Sequence, residues 1–218
     1  DGNAIKARSN MFTIKEIFYS LQGEGAHVGR PAVFCRFAGC NLWSGREKDR
    51  SSAICQFCDT DFVGSDGVGG GQFKTAKALV KEIKSYWPQD ALNPYVICTG
   101  GEPLLQLNND LIAAFHDEGI KIAIETNGTI PVPDGIDWVC VSPKAGSNLV
   151  VKEGNEIKLV YPQEKNHPKE FQDSNFDHFF LQPKYERERS NTRKTIQYCL
   201  NNPMWKLSMQ THKFLGLR

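Results

Sequence analysis

No stretch of this sequence approaches the roughly 20 consecutive apolar residues that cross a bilayer, so it offers no candidate membrane span. An excess of one charge is missing too. The 26 Lys and Arg stand against 25 Asp and Glu, a net charge of +1, which argues against a surface that coats nucleic acid and leaves a small anionic substrate open. There is no internal repeat, no low-complexity segment and no linker, so the 218 residues read as one domain, large enough to bury a substantial core. The polar opening Asp1 to Asn10 has no apolar segment of the kind a secretory leader carries, and hydrophobic patterning starts only at Met11. Residues 1–10 are therefore expected to be a disordered or vector-derived extension, and 11–218 the folded domain. Without a leader, an odd count of seven cysteines fits a reducing compartment better than a disulfide framework. The expectation is a cytoplasmic protein with no membrane and no nucleic-acid partner.

What is present centres on Cys40, Cys55 and Cys58, the last two spaced C-x-x-C. Three thiolates are one too few for a closed structural zinc site unless a histidine completes it, and no histidine is near in sequence. Three do suit a 4Fe-4S cluster that leaves one iron open to an exogenous ligand, because soft sulfur donors select iron-sulfur chemistry. The C-x-x-C alone leaves a zinc knuckle or a redox dithiol as alternatives. Cys35, beside the core-facing pattern of its strand, reads as a packed thiol.

Apolar runs alternate with helical patterns along the rest of the chain. Phe12–Phe18 and Ala32–Phe37 read as strands, joined by a loop from Tyr19 to Gly25. The glycine-rich run 64–71 lacks the Gly-Lys-Ser/Thr of a phosphate loop and reads as a flexible surface loop. A helix is predicted over Thr75–Trp87, a strand over Tyr95–Cys98, a helix near Leu105–Glu118 and a strand from Lys121. Strands over Trp138–Val141, Glu156–Tyr161 and His178–Pro183 follow, then a charged helix near Glu186–Leu200 and a last strand over Lys206–Gln210. Glu186 to Arg189 read as a solvated face of that helix. Alternation of this kind implies an α/β fold with a parallel sheet and a site at the carboxyl ends of its strands. The elements fall short of eight units, so the fold class is a partial (β/α) barrel in a single domain.

Several motifs carry a family resemblance. The close of the cysteine motif, with Phe57 before Cys58, resembles the cluster motif of the radical S-adenosylmethionine (SAM) enzymes, whose architecture is also a partial barrel. The C-x14-C-x2-C spacing is similar to that of one branch of the 7-carboxy-7-deazaguanine synthases. So are Leu21-Gln-Gly-Glu-Gly25, Thr99-Gly-Gly-Glu-Pro103, Ser142-Pro-Lys144 and the end of the chain, Trp205 to Arg218. The resemblance implies a 4Fe-4S cluster on Cys40, Cys55 and Cys58, SAM on its open iron, and Mg²⁺ at Thr60. Phe57, Asp59, Gly101, Glu102, Ser142, Pro143, Lys144, Gln182 and Tyr185 would then meet SAM. Leu21, Gln22, Gly23, Glu24, Arg36, Thr99, His212 and Arg218, the last through its terminal carboxylate, would meet a pterin substrate. Glu125 is a secondary candidate. The implied reaction converts 6-carboxy-5,6,7,8-tetrahydropterin to 7-carboxy-7-deazaguanine in queuosine-type biosynthesis, with flavodoxin or a similar electron donor and a homodimeric enzyme. Two rivals remain at this point: another radical SAM enzyme, such as a glycyl-radical activase, and a zinc-stapled binding module without catalysis.

Overall fold

The computed structural model describes residues 11–186 and 188–218, and the expected extension at 1–10 lies outside the described residues. The chain opens with antiparallel strands β1 (Phe12–Leu21) and β2 (Pro31–Phe37), and a short β3 (Gly71–Phe73) pairs with the other edge of β1. Strands β4 (Tyr95–Gly100), β5 (Lys121–Thr126), β6 (Trp138–Val141), β7 (Glu153–Tyr161), β8 (Asn175–Pro183) and β9 (Lys206–Leu207) follow. The sheet order is β3-β1-β2-β4-β5-β6-β7-β8-β9, and from β2 to β9 each neighbouring pair is parallel. The edge strands β3 and β9 do not meet, so the nine strands make the partial barrel that the element pattern implied.

Helices α1 (Ala76–Ser85) and α2 (Asn109–Asp117) cover the outer face. Thr75 caps α1 as the sequence suggests, its hydroxyl accepting from Ala78 N at 3.2 Å. The second helix starts later than predicted because Asn108 caps it, accepting from Leu111 N at 3.0 Å, while Pro103–Leu105 forms a separate 3-10 turn. Helix α3 (Ser190–Asn201) also starts late. Glu186 lies before it, accepting from the Ser190 hydroxyl at 2.6 Å and from Asn191 N, so it caps the helix and is not on a helical face. Strand β9 ends at Leu207, short of the predicted Gln210, and a short α4 (Thr211–Leu215) follows.

Period-two alternation sorts the strand residues into two sets. Val33, Cys35, Phe37, Val96, Cys98, Ile122 and Ile124 point outward into the core beneath the helices, and Ile157, Leu159 and Leu181 join Trp205 in a second cluster. Each such side chain, fully buried, contributes roughly 1.5–3 kcal/mol. Cys35, 0% exposed, is a packed thiol as expected. The glycine-rich run is not a free loop. Val68 O accepts from Ile17 N at 2.7 Å, Gly67 N donates to Lys15 O at 2.9 Å, and a side chain at Gly70 would strike Lys15 O.

Candidate active site

The inward-facing partners of those core residues are polar toward the carboxyl ends of the strands. Arg36 on β2, Thr99 on β4, Glu125 on β5, Lys158 on β7 and Gln182 on β8 all line one cavity of about 740 Å³. Cys40, Cys55, Cys58 and Thr60 line it as well.

The three thiols sit on a loop fastened from several sides. Arg50 stacks 4.1 Å over the Trp43 ring and donates to the carbonyls of Gln56 and Cys58 at 2.9 and 3.1 Å, while Glu47 holds its Nε at 2.8 Å. Leu42 N reaches Cys40 Sγ at 3.4 Å. Cys55 donates a hydrogen bond to Cys58, which pulls the Cys58 thiol down and pushes that of Cys55 up; burial pushes Cys40 up. Among the described residues no three of His, Cys, Asp and Glu converge as they would on a single metal ion. The donor set of three thiols on one open cavity fits a 4Fe-4S centre.

Asp59 and Thr60 follow directly. The Asp59 carboxylate is held by Lys213 at 2.6 Å, and Lys213 lies 5.1 Å from the Tyr185 ring, so α4 is fastened to the cluster loop. Tyr185, although on the cavity rim, is 71% exposed. Lys184 lies 5.4 Å over the Phe57 ring.

Behind Cys40 the Gly100-Gly101 pair lets two backbones touch. Gly100 has φ +127°, and a Cβ on Gly101 would fall 1.9 Å from Gly39 O and 2.9 Å from Cys40 Cβ. Glu102 does not line the cavity. It is 0% exposed and accepts from Leu104 N at 3.1 Å, Thr126 Oγ1 at 2.8 Å and Asn127 N at 2.8 Å. Burial raises its carboxyl against those donors and the nearby charge of Lys144. Asn127 in turn donates to Asn41 at 2.9 Å, joining the end of β5 to the cysteine loop. Ser142 and Lys144 line the cavity, the ammonium donating to Ser142 O at 2.5 Å and Oγ at 2.8 Å, with burial lowering its pKa. Pro143 points away, and its carbonyl accepts from Asn166 at 3.0 Å.

The far wall is a prearranged polar network. Glu24 accepts from Lys158 at 2.5 Å, Gln210 at 3.0 Å and Gln182 at 3.2 Å, and Gln22 donates to Glu125 at 3.0 Å. Burial would raise the Glu24 carboxyl, but the Lys158 ammonium, helped by Gln210 and His212, brings it down to about 2. Gly23 packs so closely on His212 that a Cβ would lie 2.2 Å from Nδ1, and Gly23 O accepts from Thr211 N at 2.9 Å. Arg36 pairs with Glu16 at 2.8 Å, and Arg218 pairs with the same Glu16 at 3.1 Å while its main-chain oxygen accepts from Ser20 at 3.2 Å. Leu21, 37% exposed, sits at the rim.

The Radical SAM superfamily matches residues 50–158. The 7-carboxy-7-deazaguanine synthase of Burkholderia multivorans is 56% identical over 207 residues, covering 94% of this chain and 99% of that one. That of Bradyrhizobium diazoefficiens is 57% identical over 208 residues, with 95% and 99% covered. The chain belongs to the 7-carboxy-7-deazaguanine synthase family. A crystal structure of QueE from Escherichia coli superimposes with a TM-score of 0.67 at 27% identity, covering 91% of this chain and 93% of that one. Membership in the 7-carboxy-7-deazaguanine synthase family makes this a radical SAM enzyme that uses a 4Fe-4S cluster and SAM, and it favours that reading over the glycyl-radical activase. No helix among the described residues is long and apolar enough to cross a membrane.

Sequence reasoning missed Lys158, Glu16, Gln210 and Asn127 on this cavity. For Lys158 a signal existed: Glu156 and Lys158 share one face of a strand whose other face carries Ile157 and Leu159.

Proposed function

We propose that the chain is a carbon-nitrogen lyase that converts 6-carboxy-5,6,7,8-tetrahydropterin to 7-carboxy-7-deazaguanine, with ring contraction and loss of ammonia, in 7-deazapurine (queuosine-type) biosynthesis. The observation that carries this reading is one cavity with three thiols on one side and a fixed wall of carboxylates, amides and a guanidinium on the other. When bound, the reduced cluster and SAM would supply reversible hydrogen-atom abstraction at C6 of the pterin, with SAM serving as a cofactor. Cys40, Cys55 and Cys58 hold the cluster. The Gly101 backbone, Ser142, Lys144, Phe57, Asp59 and Tyr185 surround SAM, and Glu102 acts from beneath as a buried negative charge facing a cationic group. Arg36 suits a carboxylate, since its fork donates in pairs. Glu24, with Gln22 and His212, suits the donor-rich 2-amino-pyrimidinone edge, and Thr99 and the Arg218 main chain close the site. Thr60 offers an oxygen to Mg²⁺, which stabilises the substrate carboxylate by charge.

The reading extends to an external one-electron donor such as flavodoxin, a cytoplasmic location and a homodimer. The hollow of about 360 Å³ lined by Leu21, Val28, Phe214, Leu215 and Leu217 offers apolar surface for such pairing.

Anaerobic incubation of the reconstituted protein with reductant, C6-deuterated pterin and a tenth as much SAM tests the assignment. The expected result is many turnovers per SAM, deuterium entering the SAM pool, and one ammonium per product. Omitting magnesium should slow turnover without loss of iron. Cleavage of SAM with the pterin untouched would overturn the substrate.

A further inference from the structure

Strand β7 turns two charged side chains inward, Glu156 and Lys158, each 4% exposed. Glu156 supports the turn above it: its Oε2 accepts from Ala26 N at 2.8 Å, and a Cβ on Gly25 would strike its carboxylate. Among the described residues Lys158 donates to no backbone carbonyl. Its ammonium lies 2.5 Å from Glu24 and 3.4 Å from Glu125, on the wall of the cavity. A buried ion pair adds little to stability over apolar side chains of similar volume, because desolvation offsets the attraction. A lysine here therefore calls for a reason beyond folding.

The acceptor arithmetic supplies one. A carboxylate has about four acceptor sites. Glu24 uses three, for Lys158, Gln182 and Gln210, and Glu125 uses two, for Gln22 and Lys158. Both carboxylates keep capacity for N–H donors of a ligand, and Lys158 spans them from a third element. An ionised carboxylate only accepts, so this wall selects a ligand edge rich in donors. Protonation of either carboxyl would blur that choice.

Resting on the reading that the cavity takes a pterin, we propose that Lys158 is a positioning and specificity residue that keeps Glu24 ionised and aimed, with Glu125, at the 2-amino-pyrimidinone edge of the substrate. Other charged or titratable groups also face this pair. They are Glu125 from β5, Cys140 from β6, Lys144 after β6, Glu156 from β7 and His212 from α4. With Lys158 in place the Glu24 carboxyl stays near 2, so the carboxylate is charged throughout the neutral range. Without it, burial acts unopposed by the ammonium and raises that carboxyl, and acceptance is lost as pH falls through the raised value.

The test is anaerobic titration calorimetry of 6-carboxytetrahydropterin into the reconstituted, SAM-loaded enzyme between pH 5.5 and 8.5. Wild type should bind with one affinity throughout. Lys158→Met should bind at least about tenfold more weakly at the acid end and recover toward pH 8.5, whereas Lys158→Arg should stay flat with pH. Affinity of K158M within twofold of wild type at every pH, or a loss equal at every pH, overturns the role. Should K158M fail to fold, Glu24→Gln is compared with the double variant K158M/E24Q, which removes both members of the closer ion pair. Equal affinities are expected if Lys158 acts through Glu24, and a further tenfold loss overturns it. A wild type that cleaves SAM yet binds no pterin refutes the substrate reading itself, and this role with it.

Discussion

Replacing Gly101 with alanine puts a methyl group between β4 and the loop that carries Cys40. Its Cβ would stand 1.9 Å from Gly39 O, 2.5 Å from Gly39 C and 2.9 Å from Cys40 Cβ, where ordinary Cβ contacts keep beyond 3.0 Å. One backbone must therefore move by about 1 Å, and neither is free to do so. Gly101 N donates to Phe37 O at 3.2 Å and Glu102 N to Gly39 O at 2.9 Å, so the two segments are bonded across the gap that the methyl would fill. Overpacking of this kind costs about 1–3 kcal/mol, which lowers the melting temperature of a chain of this size by roughly 2–12 °C. The larger effect falls on Cys40, which follows Gly39 directly. A displacement of about 1 Å in a reacting constellation costs on the order of 10²-fold in rate. The assay is iron and sulfide per chain after anaerobic reconstitution, with apo-protein melting and turnover measured alongside. We expect G101A to fold, to hold less iron and to turn over about 10²-fold more slowly. Full iron with turnover within twofold of wild type would refute the reasoning.

Arg50→Gln should lower iron content while leaving apo-protein melting within a few degrees of wild type, because it removes the donors to the Gln56 and Cys58 carbonyls and a single stacking contact with Trp43; unchanged iron would show that the loop holds itself. Cys35→Ala should retain cluster and turnover, at a stability cost read by denaturant titration, since Cys35 lies in the core between β1 and β4; a cluster-free C35A would sink the ligand assignment. Glu24 titrates at about 2 in the folded chain and at 4.5 ordinarily, so its ion pair contributes stability that is fully present above about pH 4.5 and lost as pH falls toward 2. Any melting difference between wild type and E24Q should therefore shrink across that window, and a constant difference would contradict the depressed value.

Much of this architecture was legible because strand alternation and apolar helix faces are local signals. The outward set Val96, Cys98, Ile122 and Ile124 can be read directly from the chain. The site was legible where short motifs held it, and most of the residues named from motifs line one cavity. Glu102 and Pro143 are the exceptions, because a motif gives position along the chain and not depth below a surface. What stayed hidden depends on tertiary pairing. Strand β3 has no pattern of its own and exists through the Phe12 and Phe73 register with β1. Helix α4 has no side-chain N-cap and is placed by Thr211 against Gly23. The alternation of Glu156 and Lys158 with Ile157 and Leu159 signals that Lys158 turns inward, but its role depends on carboxylate neighbours distant in sequence.

The most direct measurement compares wild type with Cys58→Ala in anaerobic mixtures of reconstituted protein, SAM, reductant and 6-carboxytetrahydropterin, with products read by mass spectrometry. The account predicts that wild type forms a species lighter than the substrate by one ammonia and that C58A, without a cluster, forms none. A wild type that leaves the pterin intact, or a C58A that converts it, would contradict the account.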